Sequence, residues 1–356
     1  MTADGAAGAV RLRELGWRPF FAAQLDSNDA AGTMPARVMA VHRGKIAVAG
    51  ADGDWLIPPH IAQPPGTTPA AAEENHPAVG DWLLIDAATL QIARILTRAS
   101  LFKRRAPGRG RRLQLIAANI DTLFIVASCN EDFSVARLER YLVLAREVGV
   151  TPVIVLTKID LAARPEDFAA AARAMQPGLA VELVNAKDPA SVARLARRCG
   201  PGETVALLGS SGVGKSTMIN SLRGSADLLT QEVRKGDGTG RHTTTVREMY
   251  RLAAGGWLLD TPGMRELQLA ETAEGLAEVF DEFVLAALDC RFTNCSHGGE
   301  PGCAVQAGVA AGMLDPARLE RWRKLTAEDA ANTAGQSARK RSPRPLAAAP
   351  SPDPDD

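Results

Sequence analysis

Gly209-Ser210-Ser211-Gly212-Val213-Gly214-Lys215-Ser216-Thr217 is the stretch that decides the fold. It fits the phosphate-binding pattern G-x-x-x-x-G-K-[ST], with the apolar run Val205–Leu208 before it and the helix-compatible Met218–Leu222 after it. A strand–loop–helix setting is the context this pattern needs. Glycines let successive backbone N–H groups turn inward around phosphate oxygens, and the following helix offers its positive N-terminus. Lys215 would reach the β- and γ-phosphates and Ser216 would ligate Mg²⁺. Alone, the loop leaves ATP and GTP, and kinase and hydrolase, all open. Its place is unusual, since such a loop commonly opens its domain and here it stands at residue 209 of 356.

Four further pieces surround it. Asp260-Thr-Pro-Gly263 follows the apolar Trp257-Leu-Leu and fits D-x-x-G. There the aspartate would hold Mg²⁺ through water, and the Gly263 N–H would sense a γ-phosphate. The glycine-rich run from Gly236 to Thr245 contains His242, Thr243 and Thr244. Thr243 and Thr244 are the candidates to complete the Mg²⁺ shell, with Thr244 taken as the ligand, and His242 could position water. Upstream, Thr157-Lys158-Ile159-Asp160 ends a strand pattern, and its aspartate can accept from the N1–H and amine of guanine. Asparagine is commoner at Thr157, which leaves its link to the phosphate loop in question. Asn185-Ala186-Lys187 follows another strand, where the Ala186 N–H would meet guanine O6. In ordinary GTPases the phosphate loop comes first. Here the base-reading pieces precede it and the switches follow, so the same parts occur in circularly permuted order. Chain termini lying close together make such a rotation physically tolerable.

The rest of the chain divides by pattern. Residues 1–33 carry a short helical pattern (Leu12, Leu15, Trp17). Residues 34–101 read as five short strands separated by turn signals, which suggests a small OB-type β-barrel with a flexible loop over 62–74. The cluster from Lys103 to Arg112 holds six cations in ten residues, either as a solvated linker or as a phosphate-contacting patch. Residues 102–270 alternate strand and helix as a parallel α/β domain, and residues 271–330 are mainly helical around a cysteine-rich loop. The tail, 331–356, reads as disordered.

Formal charge balances at 41 basic and 41 acidic residues, so net charge predicts no polyanion partner, although local clusters can. No apolar run is long enough to span a membrane and the N-terminus lacks a secretory pattern, so a cytoplasmic chain is expected. Three of the five cysteines fall within fourteen residues: Cys290-x₄-Cys295-x-His297-x₅-Cys303. Three thiolates and an imidazole suit one closed, structural Zn²⁺ site per chain rather than a catalytic one.

With these residues in view, the chain resembles the circularly permuted, small-ribosomal-subunit-dependent GTPases of the RsgA (YjeQ) family. The resemblance rests on Val79–Trp82, Ser100–Lys103, Ile116–Asp121, Thr157–Asp160, Gly212–Ser216, Gly240–Thr244, Asp260–Gly263 and Cys290–Cys303, over residues 34–325. It implies an N-terminal OB barrel, a permuted P-loop GTPase and a C-terminal zinc-binding domain. It also implies GTP hydrolysis to GDP stimulated by the small (30S) ribosomal subunit, with ribosomal RNA as a contact, in late subunit maturation. A monomer is expected. Met264 stands where many GTPases carry a catalytic glutamine, which leaves His242 as the candidate for placing water. The rival readings are an RNA-binding scaffold with a slow GTP switch, and a P-loop kinase.

Overall fold

The structure is a computed structural model, and it describes residues 3–26, 29, 32–61, 68–105, 113–224, 247–260, 267 and 269–340. Alternating apolar residues build five antiparallel strands: β1 (Thr33–His42), β2 (Lys45–Gly50), β3 (Asp54–Ile57), β4 (Trp82–Asp86) and β5 (Ile92–Ile95), in the order β3-β2-β1-β4-β5. Val38, Ile46, Val48, Ile57, Leu83 and Ile85 fill one face as a common core. A single bridge from Ile61 to Ile92 ties the segment after β3 back to β5.

The N-terminal extension is built into this unit. Helices α1 (Ala3–Glu14) and α2 (Pro19–Ala22) bring Leu15 and Phe21 into a cluster with Trp82 and Leu84, against which Trp257 also packs. Polar contacts reinforce the apolar ones. Trp257 Nε1 donates to Glu14 O at 2.8 Å, Arg251 pairs with the Glu14 carboxylate at 2.9 Å, and Arg18 with Asp121 at 2.6 Å. Arg37 on β1 is almost fully buried and donates to Leu15 O, to Thr204 Oγ1 at 2.7 Å and to Asn119 O at 3.3 Å. Burial pulls its pKa down to about 10, so the guanidinium stays charged near neutrality and its carbonyl partners matter. At Gly202 (φ +81°) a Cβ would lie 2.7 Å from Arg13 O, so only glycine lets the two backbones come this close.

Two expectations change here. Residues 69–74 of the expected flexible loop form helix α3 (Pro69–Glu74). The cationic cluster is not a plain linker, since it is flanked by an antiparallel pair, β6 (Leu101–Arg105) and β7 (Leu113–Ala118). Residues 106–112 lie outside the described set.

The alternating segment forms β8 (Thr122–Ser128), α4 (Val135–Glu147), β9 (Thr151–Thr157), α5 (Pro165–Arg173), β10 (Ala180–Leu183), α6 (Pro189–Ala196), β11 (Thr204–Leu208), α7 (Lys215–Arg223), β12 (Arg247–Arg251) and β13 (Trp257–Asp260). The strand order is β10-β9-β8-β11-β13-β12. All its pairings are parallel except that of β12 with β13, so the sheet is mixed rather than wholly parallel. β8 is buried at every position, as a strand covered on both faces must be. β12 also pairs with β1, through Ala40↔Glu248 and Val41↔Arg247, which makes one continuous eleven-stranded sheet.

The described residues fall into two compact units, one reaching residue 268 together with Ala277–Val279, the other made of Leu269–Leu276 and the residues from Phe280 onward. The second unit contains helices α8 (Ala273–Val279, in part), α9 (Asp281–Ala287), α10 (Ala304–Ala310) and α11 (Pro316–Lys340). Phe283 stacks on Trp322 in its core, with ring centroids 5.3 Å apart. α11 runs to Lys340, ten residues past the point where the tail was expected to begin. The run TAEDAANTAGQSARK is rich in alanine and charged helix formers, and those preferences prevail over its compositional bias. No described helix is long and apolar enough to cross a membrane.

Candidate nucleotide site and metal centre

In an open α/β sheet, ligands settle at the carboxyl ends of strands where the strand order reverses. From β8 the chain moves outward through β9 to β10, and from β11 it moves the other way to β13. The reversal therefore lies between β8 and β11, where the loop 209–214 emerges. Its close approach is specific. A Cβ on Gly209 would meet Val126 O on β8 at 2.3 Å, and Gly214 (φ +92°) is the N-cap of α7. Lys215 is only 7% exposed, and its Nζ donates to Gly209 O at 2.8 Å and to Ser210 O. The ammonium is thus folded along the loop by the loop's own carbonyls. Ser216 and Thr217 are exposed on the first turn of α7, and Ser211 and Gly212 are exposed on the loop.

The base-reading candidates converge on the same place. Thr157, fully buried at the end of β9, has its Oγ1 2.5 Å from Val213 O and 3.2 Å from Ala127 O. A threonine hydroxyl therefore makes the link to the phosphate loop that the commoner asparagine would be expected to make. Lys158 adopts a left-handed backbone (φ +57°), which a non-glycine residue holds only at a cost of about 1 kcal/mol. That turn leaves Asp160 exposed beyond the strand end. Asn185 Oδ1 accepts from Lys187 N at 3.0 Å, closing the turn that carries Ala186, and Ala186 itself is buried. A Cβ placed on Gly214 would lie 3.6 Å from Thr157 Oγ1 and 3.9 Å from Ala186 Cβ. Thr157, Gly214 and Ala186 therefore form one packed junction between the candidate base-reading and phosphate-binding segments.

Asp260 ends β13, beside β11. His242, Thr243, Thr244 and Gly263 lie outside the described residues. Two contacts escaped sequence reasoning. Arg137 on α4 donates to Ser210 Oγ at 2.9 Å, and Ser221 on α7 donates to Ala186 O at 2.9 Å. Neither sits in a local pattern, because each acts on a residue more than thirty positions away.

In the second unit Cys290, Cys295, His297 and Cys303 come together, with all four ligand atoms within 4.8 Å of one another. His297 Nδ1 lies 3.6 Å from both Cys290 Sγ and Cys303 Sγ, and those sulfurs are 3.9 Å apart. A tetrahedron with metal–sulfur bonds of about 2.3 Å and metal–nitrogen bonds of about 2.0 Å has edges of roughly 3.5–3.8 Å, so Cys290, His297 and Cys303 stand close to the separations such a cation needs, with Cys295 inside 4.8 Å of them. The protonation balance agrees. Desolvation opposes ionisation of Cys290, but the N–H groups of Val305 and Ala304, together with the neighbouring thiols, pull its pKa below the ordinary value. Cys295 is pushed up to about 11, by desolvation first and then by Cys303 and Cys290. His297 is favoured as the neutral ligand form, since burial lowers its pKa.

The supporting contacts fix the loop. The Glu300 carboxylate accepts from Ser296 N at 2.7 Å, Gly298 N at 2.8 Å, Gly299 N at 3.2 Å and the Ser296 hydroxyl. Gln306 Nε2 donates to His297 O at 2.6 Å, and the imidazole stacks on Trp322 at 5.3 Å. Outer contacts of this kind orient a ligating histidine. Cys129 and Cys199 stand apart, buried and held as neutral thiols by desolvation.

Known proteins share these features. The family model described as RsgA GTPase matches residues 95–270. The small ribosomal subunit biogenesis GTPase RsgA of Mesorhizobium japonicum is 47% identical, covering 93% of this chain and 93% of that protein. The corresponding RsgA 2 of Vibrio vulnificus is 45% identical, covering 90% and 88%. Among solved structures, YjeQ from Thermotoga maritima superimposes with a TM-score of 0.59 at 22% identity, covering 83% of this chain and 98% of that one. YloQ, described as a circularly permuted GTPase, gives 0.56 at 24% identity, with coverage of 90% and 100%. At those identities the two structures speak for the fold.

Proposed function

The chain belongs to the RsgA GTPase family, whose members hydrolyse GTP, and from that premise we propose that it acts as a maturation factor of the small ribosomal subunit. The observation that carries the nucleotide reading is the packed junction of Thr157, Gly214 and Ala186. It brings a guanine-reading strand end onto a phosphate loop although the two occur in reversed sequence order. In this reading Asp160 recognises N1–H and the exocyclic amine, and the Ala186 N–H recognises O6. Gly209–Thr217 cradle the phosphates, with Lys215 countering their charge and Ser216 offering a hydroxyl to Mg²⁺. Thr244 and Asp260 complete the Mg²⁺ environment, Gly263 senses the γ-phosphate and His242 positions water. When bound, Mg²⁺ would supply charge neutralisation to the phosphates.

The five N-terminal strands serve as an OB-type barrel which, with the β6–β7 segment and the metal unit, grips ribosomal RNA. Lys103 pairs with Glu74 at 2.7 Å and Arg104 Nε donates to Gln114 Oε1 at 2.8 Å, surface contacts that these cations would exchange for phosphate on binding RNA. The protein works as a cytoplasmic monomer. Turnover of GTP by the full chain is expected to rise strongly on adding purified small subunits. An unchanged rate would favour the other reading, an RNA-binding scaffold with a slow GTP switch.

The metal of the Cys₃His centre is Zn²⁺, in a structural role. Metal analysis of pure protein is expected to give about one zinc per chain. Cys303→Ser should lower that content and change tryptophan emission, and the emission change should be missing in the Trp322→Phe background. Zinc-free protein with native stability would overturn the assignment.

A further inference from the structure

We propose that Ser221 is a positioning residue for base recognition, holding the loop that reads guanine O6 from the back of the phosphate-loop helix. The inference rests on the guanine-nucleotide reading above and adds a residue to it. Ser221 lies in the second turn of α7, six residues after Lys215. Its Oγ is 2.9 Å from Ala186 O and 3.2 Å from Thr217 O. A hydroxyl has one proton, so the two carbonyls compete. Serine inside a helix commonly turns back to the carbonyl four residues earlier, which would make the second contact the default. Thr217 O, however, already faces the N–H of the helical ladder, whereas Ala186 O lies in a turn outside any ladder. The nearer acceptor is also the needier one.

Geometry gives that bond a purpose. Ala186 is the central residue of the Asn185–Lys187 turn, closed on one side by Asn185 Oδ1 and Lys187 N at 3.0 Å. On the other side Asn185 N donates to Ser191 Oγ at 2.9 Å. Together with Asp188 N, which donates to Asn185 O at 3.0 Å, these bonds close the turn on itself, and the Ser221 bond is what ties it to α7. Tying Ala186 O to α7 fixes the closed turn as a unit against the phosphate-loop helix and keeps the Ala186 N–H aimed at one point. Thr157 makes the reverse tie, from the base strand to Val213 O of the phosphate loop at 2.5 Å. Two hydroxyls thus cross-link the segments in opposite directions, with Gly214 between them. A guanine O6 bound by the Ala186 N–H would find its donor already placed, which lowers the ordering cost of binding.

The test compares GDP with 6-thio-GDP, whose sulfur is a poor acceptor at the atom the loop reads. Ser221→Ala in the full chain is expected to weaken GDP roughly 3- to 10-fold, the value of one hydrogen bond. The same variant should weaken 6-thio-GDP less than about twofold. KM for GTP should rise with the GDP loss while kcat moves little, and Ser221→Thr should restore both. Equal losses for the two ligands would make Ser221 a general structural residue and overturn the proposal, as would no loss for GDP. Failure of the underlying reading looks different, because wild-type protein would then bind GDP no better than ADP.

Discussion

Lys215→Ala is expected to reduce GTP turnover at saturating substrate by at least about 100-fold, read as phosphate release by the full chain. The side chain is nearly buried and its ammonium rests on Gly209 O and Ser210 O, the carbonyls that line the loop's edge. A desolvated cation held in that position is worth far more to a phosphoryl group than one in water. Alanine removes the charge but suits a helix N-terminal turn, so the thermal midpoint should move only slightly. Lys215→Arg should rescue little, since a planar fork does not fit a site shaped for a compact ammonium. Retained turnover in a folded Lys215→Ala protein would show that the reaction happens elsewhere.

The second large effect concerns the base. Asp160→Asn should weaken GTP by about 100-fold or more, because two charge-assisted hydrogen bonds are lost and an amide is left facing donors. Xanthosine triphosphate presents a carbonyl where guanine has its amine, so the asparagine NH₂ gains a partner and affinity should recover. Competition against a fluorescent GDP measures both. A variant that weakens the two nucleotides equally would remove Asp160 from base recognition. Asp160 is exposed at a turn that Lys158 holds in a left-handed conformation, so the substitution carries little folding penalty.

The sequence was most legible where chemistry is local. The glycines of residues 209–214 act through their own backbone and the Lys215 ammonium reaches carbonyls of the same loop, and the cysteine spacing closes within one short loop, so both patterns could be read directly. The five N-terminal strands were equally plain, because each is a short apolar segment bounded by turn residues. What stayed hidden depends on distant partners. Thr157 looked like a weak substitute for asparagine until its hydroxyl was seen against Val213 O. The β6–β7 pairing was masked by its cationic composition, which resembles a linker when read alone. The antiparallel course of β12 and its pairing with β1 are facts about sheet order, and no residue in Arg247–Arg251 announces them. The extension before residue 33 offered three apolar positions and no hint that Arg37 would clasp Leu15 O.

The β1–β12 pairing also sets a timetable for synthesis. Val41 leaves the ribosome early, and its partner Arg247 is 206 residues later in the sequence (247 − 41). At about 5–20 residues per second, that stretch of β1 waits roughly 10–40 s for its neighbour. An unpaired strand edge is an invitation to wrong partners. β4 reaches β1 much sooner and covers Thr33–Arg37, so the part left open is short. The newborn chain therefore carries a brief, narrow liability at Ala40 and Val41, which ends only when the last strands of the nucleotide sheet emerge.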